Sequence, residues 1–172
     1  LYLMPTGLNN PEDPSQCSWG GTFIGNPNNL WRESGSCRPY FDRFYPAAFN
    51  NFAARMDWAK DGAGNRNPVI VLDGDDGICV LTKTPRQGAA VTLDASKTFD
   101  PDGDNLKFNW WIQSDAGTYS GNVNISDSSS SIVRVHVPSD SAGKSFHVIC
   151  EVIDDGTHNL SDYRRITFES VQ

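Results

Sequence analysis

Oxygen ligands are the densest chemical resource of the chain. Asp100, Asp102 and Asp104 alternate with proline and glycine in Asp100-Pro101-Asp102-Gly103-Asp104, and Asp154-Asp155 precede Gly156 much later in the sequence. Two loops at the same end of a β-sandwich would bring these five carboxylates together, and calcium takes roughly six to eight oxygens. Asx turns produce the same pattern without a metal, because the side chains bond their own backbone amides. Asp100, Asp102, Asp104, Asp154 and Asp155 therefore form a possible structural calcium site beside a purely structural reading. Asp73-Gly74-Asp75-Asp76, after the apolar Val69–Leu72, lacks the further aspartate and the interval of a catalytic metal cluster and reads as a turn.

Nucleophilic chemistry is not supported. There is no Gly-x-Ser-x-Gly elbow, and His136, His147 and His158 lie in or beside strands, the first two reading as surface strand residues. Glu12 with Asp13, or Glu33 with Asp42, could be imagined as a glycosidase pair, but nothing in the spacing sets their separation. The chain by itself is expected to catalyse no glycoside or nucleoside hydrolysis and to need no cofactor beyond that possible calcium.

Indoles are the other resource, since their faces stack on the apolar faces of pyranose rings. Trp110 has core parity and Trp58 ends a helical pattern, so packing explains both. Trp19, Trp31 and Trp111, with Tyr119 as a fourth ring, are the candidates for binding carbohydrate, with burial as the alternative for each. Cys17, Cys37, Cys79 and Cys150 form an even set without a Cys-x-x-Cys pair, which argues against zinc. In an acidic, lysine-poor chain they suggest an oxidising compartment, with Cys17–Cys37 and Cys79–Cys150 as the expected bridges and four free thiols as the alternative. Sequons stand at Asn124 and Asn159, as often happens by chance in so Asn- and Ser-rich a chain.

The elements that must position these groups divide the chain in two. Residues 1–67 open on an irregular stretch crowded with Asn, Pro, Gly and Trp. It is followed by a helix over residues 46 to about 60, in which Phe49, Phe52, Ala53 and Met56 recur at helical spacing. Residues 68–172 read as strands and turns: Val69–Leu72, Ile78–Thr84, Ala90–Leu93, Leu106–Ile112, Gly121–Ile125, Ile132–Val137, Phe146–Ile153 and Tyr163–Phe168. So many short strands predict an all-β, antiparallel sandwich. Leu106, Phe108, Trp110 and Ile112 share one parity, as do Phe146, Val148, Cys150 and Val152, and Arg164, Ile166 and Phe168, with Arg164 expected to escape to solvent. The opposite parity is partly apolar at Trp111, Ile149, Ile153 and Tyr163. That strip is either covered by the N-terminal segment and its helix or left as a docking surface.

With 172 residues, 38% of them apolar, the chain can bury a real core. A formal charge of −7 argues against nucleic acid and anionic lipid as partners and favours a neutral one. No apolar run has bilayer-spanning length, and the start at Leu1-Tyr2-Leu3 suggests a cut through a longer polypeptide.

Two groups of motifs carry a family resemblance. Ala89-Ala90-Val91-Thr92-Leu93-Asp94-Ala95-Ser96, the Asp100–Asp104 run, Leu106-Lys107-Phe108-Asn109-Trp110 and Val148–Gly156 resemble strands and turns of polycystic-kidney-disease-type (PKD) immunoglobulin-like domains. More narrowly, Gly7-Leu8-Asn9-Asn10-Pro11-Glu12-Asp13-Pro14, Ser18-Trp19-Gly20-Gly21-Thr22-Phe23, Phe52-Ala53-Ala54-Arg55-Met56-Asp57-Trp58 and Asn67-Pro68-Val69 are similar to the C-terminal domain of a secreted family. Its members join a nucleoside-hydrolase-like domain to a C-terminal domain described as cellulose-binding. The resemblance implies a secreted, extracellular or periplasmic accessory domain that binds cellulose or another neutral polysaccharide. The alternative is a structural domain that packs on and completes the upstream hydrolase-like domain.

Overall fold

The computed structural model describes residues 6–25, 28, 30–33 and 38–172. Among these residues nine strands and one helix follow the order β1 (Phe23–Gly25), β2 (Trp31–Glu33), α1 (Arg38–Asp61), β3 (Leu81–Lys83), β4 (Ala90–Asp94), β5 (Leu106–Gly117), β6 (Asn124–Ser126), β7 (Ile132–His136), β8 (Ser145–Asp154) and β9 (Ser161–Glu169). β1 and β2 form a hairpin of their own. A four-stranded sheet in the order β3-β9-β8-β5 faces a three-stranded sheet in the order β4-β7-β6. This is the sandwich that strand number and alternation predict, of the immunoglobulin-like type that the PKD resemblance implies, with one departure: β3 runs parallel to β9 along the sheet edge.

Strand parity places the core. β5 and β8 pair with Phe108 opposite Val152, Trp110 opposite Cys150 and Ile112 opposite Val148, so one face of each strand is apolar throughout. That face meets Ile166 and Phe168 of β9, with Phe146 stacked on Phe168 at 4.9 Å, and Leu93, Val133 and Val135 of the other sheet. Arg164 shares the parity but does not reach solvent. Its side chain is buried beneath the Asp73–Gly77 turn and pairs with Asp75, because the turn folds over the start of β9 and supplies the anion that burial requires. Asp73 accepts from Lys83 at 2.6 Å and from the Asp94 amide at 2.9 Å, so this aspartate run serves as a structural clasp.

Several expected strands shorten. Val69–Leu72 makes only isolated bridges to Phe99 and Asp75, since Pro68 donates nothing and Asp73 and Gly74 turn the chain with φ of 52° and 87°. Ile70 and Leu72 still enter the core. Only Leu81–Lys83 of Ile78–Thr84 pairs, and Pro85 follows at once.

The outer face of the four-stranded sheet is covered. Leu8, Trp19, Phe44 and Ala48 pack on Ile149 and Tyr163, with Tyr40, Ala47 and Trp111 around them. Tyr163 is the hub: Trp19, Phe44 and Trp111 meet its ring edge-on at 6.3, 5.8 and 6.4 Å. Residues 6–8 lie along the first half of β9, whose Tyr163 and Arg165 amides donate to Thr6 and Gly7 at 2.9 and 3.1 Å, while β3 occupies the second half. A sheet edge is thereby closed by two separate segments.

Gly7 makes this possible. Its φ is 74°, and a Cβ there would collide with the Tyr163 carbonyl oxygen. Gly7→Ala is expected to destabilise the docked segment by more than about 1 kcal/mol. Amide exchange at Tyr163 and Arg165 should rise while exchange at Val148 and Ile166 stays slow; unchanged exchange at the first pair would contradict this account.

The helix begins at Arg38, eight residues before the expected start, and carries Pro46 inside it. Proline in a helix interior costs about 3 kcal/mol. Burying Phe44 and Ala48, with Tyr40 and Ala47 beside them, returns a sum of that order. The inward face is Phe44, Ala48, Asn51 and Ala54. Phe49, Phe52 and Met56, expected to point inward, are exposed. Each residue advances the helix by about 100°, which sets the two stripes roughly a third of a turn apart, and only one can meet the sheet.

Candidate functional site

The aromatic residues singled out from sequence do not form one surface. Trp19 is only 2% exposed, its indole enclosed in the cluster around Tyr163. Trp111 is half-buried under the Arg43 guanidinium, 4.0 Å from its ring, and its indole donates to Gln113 Oε1 at 3.3 Å. Tyr119 leans on Phe146 and donates to Asp140 at 2.7 Å. Trp31 is exposed on β2, with its ring against Gly25. Trp110 is in the core and donates to the Ser130 carbonyl at 2.9 Å. The guanidinium groups of Arg55 and Arg66 lie over the Trp58 ring, 5.3 and 4.3 Å from its centroid.

What sequence reasoning missed is a row on α1. Phe41, Tyr45, Phe49, Phe52 and Met56 follow at steps of four and three residues and are all exposed, Tyr45 at 63% and Phe49 and Phe52 at 56%. Tyr45 and Phe49 stack on each other at 6.0 Å with 21° between their planes. The readable signal was a helix with aromatics over too wide an arc for one buried stripe.

The carboxylate set is brought together at one end of the sandwich. Asp100 Oδ1 accepts from the amides of Asp102 and Asp104 at 2.8 and 3.3 Å, and Gly103 turns the loop with φ 86°. Asp155 joins this loop to its neighbour by accepting from the Asn105 amide and side chain at 2.8 and 3.0 Å, which holds its carboxyl below the usual range. Asp154 Oδ1 accepts from Asn65, Gly156 and Leu160, each at 3.0 Å. Burial pushes the carboxyls of Asp154 and Asp104 up, with Asp100 adding repulsion to both. Asn65, which no sequence motif marked, links the connector after α1 to this end. Among the described residues no three His, Cys, Asp or Glu side chains converge closely enough to hold a metal by themselves.

The expected Cys79–Cys150 bridge is not formed. Cys150 is buried in the core opposite Trp110, whereas Cys79 is exposed in the loop before β3. The cause is the shortening of that strand, which leaves Cys79 outside the sandwich. Cys17 is a buried free thiol with Arg165 3.3 Å away, and Cys37 lies outside the described residues. His147 is not a surface residue either: it is half-buried, its Nδ1 accepts from Arg165 at 2.9 Å, and burial and then that guanidinium lower its pKa to about 4. His136 is exposed and bonds Ser126, and His158 pairs with Asp57 at 2.8 Å. A cleft of about 250 Å³ lies beside His147, lined also by Asp13, Cys17, Thr22, Gln113 and Asp115. Burial raises the Cys17 pKa and the His147 Nδ1 is occupied by Arg165, so the Cys17 thiol and this imidazole nitrogen do not form a nucleophile–base pair.

Comparison with known proteins follows this geometry. A structure of a nucleoside hydrolase-related hypothetical protein from Saccharophagus degradans, described as associated with carbohydrate metabolism, superposes with a TM-score of 0.83 at 35% identity. The match covers 96% of this chain and 44% of that one, so the chain spans less than half of that relative. The PKD domain from KIAA 1837 protein matches at 16% identity over 54% of this chain and 78% of its own, with a TM-score of 0.36. The titin M3 domain matches at 11% identity over 64% of this chain and 100% of its own, with a TM-score of 0.32. Among curated proteins there is no match. Residues 90–170, from β4 through β9, match the family model of the C-terminal domain of cellulose-binding protein Sde0182.

Proposed function

We propose that the chain is a non-catalytic accessory domain that holds cellulose or another neutral polysaccharide for a larger, secreted, hydrolase-related polypeptide. The observation that carries this reading is the exposed row Phe41, Tyr45, Phe49 and Phe52 on α1. Rings spaced along one helix face offer a linear polymer repeated apolar contacts, and the formal charge of −7 disfavours anionic polymers. The match of residues 90–170 to the C-terminal domain of a cellulose-binding protein supports the same ligand class.

Each ring is expected to contribute about 1 kcal/mol, so the triple variant Tyr45→Ala, Phe49→Ala, Phe52→Ala should lose roughly a hundredfold in affinity. Depletion of the intact chain on cellulose, xylan and arabinan measures this, with Trp31→Ala alongside to test the hairpin. No retention on any polymer, or equal retention of the triple variant, would remove the helix row from carbohydrate binding.

A second reading is favoured by Met56, an aliphatic end to an aromatic row, and by a solved relative more than twice as long as the match: the row packs on the hydrolase-related part. Methionine oxidation separates the two. In the longer polypeptide Met56 would resist peroxide if the row is an interdomain contact, and would oxidise as readily as in the isolated chain if the row faces the polymer.

A further inference from the structure

The cleft beside His147 lies where the N-terminal segment meets the irregular end of β5. The β5–β8 register shifts between Gln113 and Gly117, so residues 114–116 have no partner in the ladder and stand out at the cleft. Gly117 permits this course: its φ is 88°, and a Cβ there would collide with the Ser145 carbonyl oxygen.

The polar groups of the cleft are preset by the residues behind them. An arginine only donates, so the Arg165 bond to His147 Nδ1 at 2.9 Å leaves the ring proton on Nε2. Nε2 has no hydrogen-bond partner among the described residues and is not shut off from solvent, so it offers the cleft an N–H donor. Burial and then the guanidinium lower the imidazole pKa to about 4, which keeps the ring neutral at neutral pH. Gln113 is held by the Trp111 indole at 3.3 Å and the Tyr40 hydroxyl at 3.0 Å, and its Nε2 donates to Asp115 Oδ1. Asp13 Oδ1 accepts from the Ser15 amide at 3.1 Å. Both carboxylates keep Oδ2 without a partner among the described residues.

This set selects a class of ligand. The two carboxylates repel an anion, and the imidazole N–H with the guanidinium behind it opposes a cation. Among the described residues no aromatic ring lines the cleft, so a nucleobase finds no stacking face. A sugar hydroxyl donates to a carboxylate oxygen and accepts from an N–H at once. The cleft volume of about 250 Å³ equals roughly eight water molecules at about 30 Å³ each, which is room for one pyranose and not for a chain.

We infer that this cleft binds one neutral sugar unit, with Asp13 and Asp115 accepting from its hydroxyls and His147 Nε2 donating to a hydroxyl oxygen. Arg165 and Gln113 are positioning residues. The ligand class rests on the carbohydrate reading proposed above, but the surface is a different one. The α1 row meets a polymer through ring faces, whereas the cleft takes a single unit, free or at a chain end, through its hydroxyls.

Nuclear magnetic resonance of the isotope-labelled chain at neutral pH tests this, read at the His147 imidazole and the Gln16, Asp115 and Gly117 amides. Glucose, xylose and arabinose are titrated, followed by cellotetraose and xylotetraose. At least one sugar should shift these signals saturably, with a midpoint on the order of 1 mM. A tetraose tighter than its monomer identifies a chain end as the occupant, equal midpoints identify a free sugar, and both support the site. His147→Asn keeps an acceptor for Arg165 but places nothing at Nε2, and should weaken binding about fivefold. Asp115→Asn, at an exposed position, should weaken it by a similar factor. No saturable shift with any of these sugars, shifts confined to α1, or parent-like midpoints in both variants would overturn the assignment. A null sugar titration beside retained polymer depletion removes the cleft alone; a saturable titration without polymer retention removes the helix row alone.

Discussion

Tyr163→Ala should cost about 4 kcal/mol of stability, measured by urea unfolding followed through tryptophan fluorescence. Tyr163 is 1% exposed and three rings, Trp19, Phe44 and Trp111, meet its faces and edges. Removing it opens a cavity that four elements line, and aromatic-to-alanine changes in such places cost about 3–5 kcal/mol. Its hydroxyl, by contrast, faces Trp19, Glu151 and Ser161 without a hydrogen bond of normal geometry, so Tyr163→Phe should stay within about 1 kcal/mol of the parent. A loss below about 1 kcal/mol for the alanine variant would mean that the N-terminal segment and helix are not held by this cluster.

Arg165→Met should destabilise by about 3 kcal/mol, although replacing a buried charge with an apolar side chain is often harmless. The outcome depends on what the charge leaves behind. Arg165 is fully buried; its Nε donates to the Leu8 carbonyl at 2.6 Å, and its terminal nitrogens donate to His147 Nδ1 at 2.9 Å and the Cys17 carbonyl at 3.3 Å. Those carbonyls belong to a docked backbone and cannot turn to water, so methionine strands them. Limited proteolysis should cut first within residues 6–21 while the sandwich remains protected.

The same variant has a pH signature. Because burial and then Arg165 depress the His147 pKa to about 4, the folded chain refuses a proton that the unfolded chain binds near about 6.5. Stability therefore declines as pH falls from about 6.5 towards 4. Without the guanidinium the folded pKa rises towards the unfolded one, and that part of the decline becomes shallower. An identical acid profile in both proteins would show that the guanidinium does not act on the imidazole.

Period-two alternation in β5, β8 and β9 was legible because strand parity is a local property: once Trp110 points inward, Phe108 and Ile112 follow. The Asp-Pro-Asp-Gly-Asp turn was legible for the same reason, since its bonds close within a few residues. Asn65 was not, because an isolated polar residue in a connector has no pattern, and its partners Asp154 and Thr157 are distant in sequence. Nor was Arg165, whose partners on the N-terminal segment lie at the far end of the chain.

The sequence by itself determined the sandwich, its core-facing strand faces, an acidic surface and the presence of a helix, all of which follow from composition and short-range periodicity. Only the tertiary structure decided that Trp19 is core, that Phe49, Phe52 and Met56 face solvent, and that Cys79 and Cys150 stay apart. A helix with two apolar stripes can dock by either, and the choice rests on the shape and pairing of the sheet beneath it, where Tyr163 and Ile149 accept Phe44 and Ala48. That fit is a sum of contacts between residues far apart in the chain, which no spacing along it encodes.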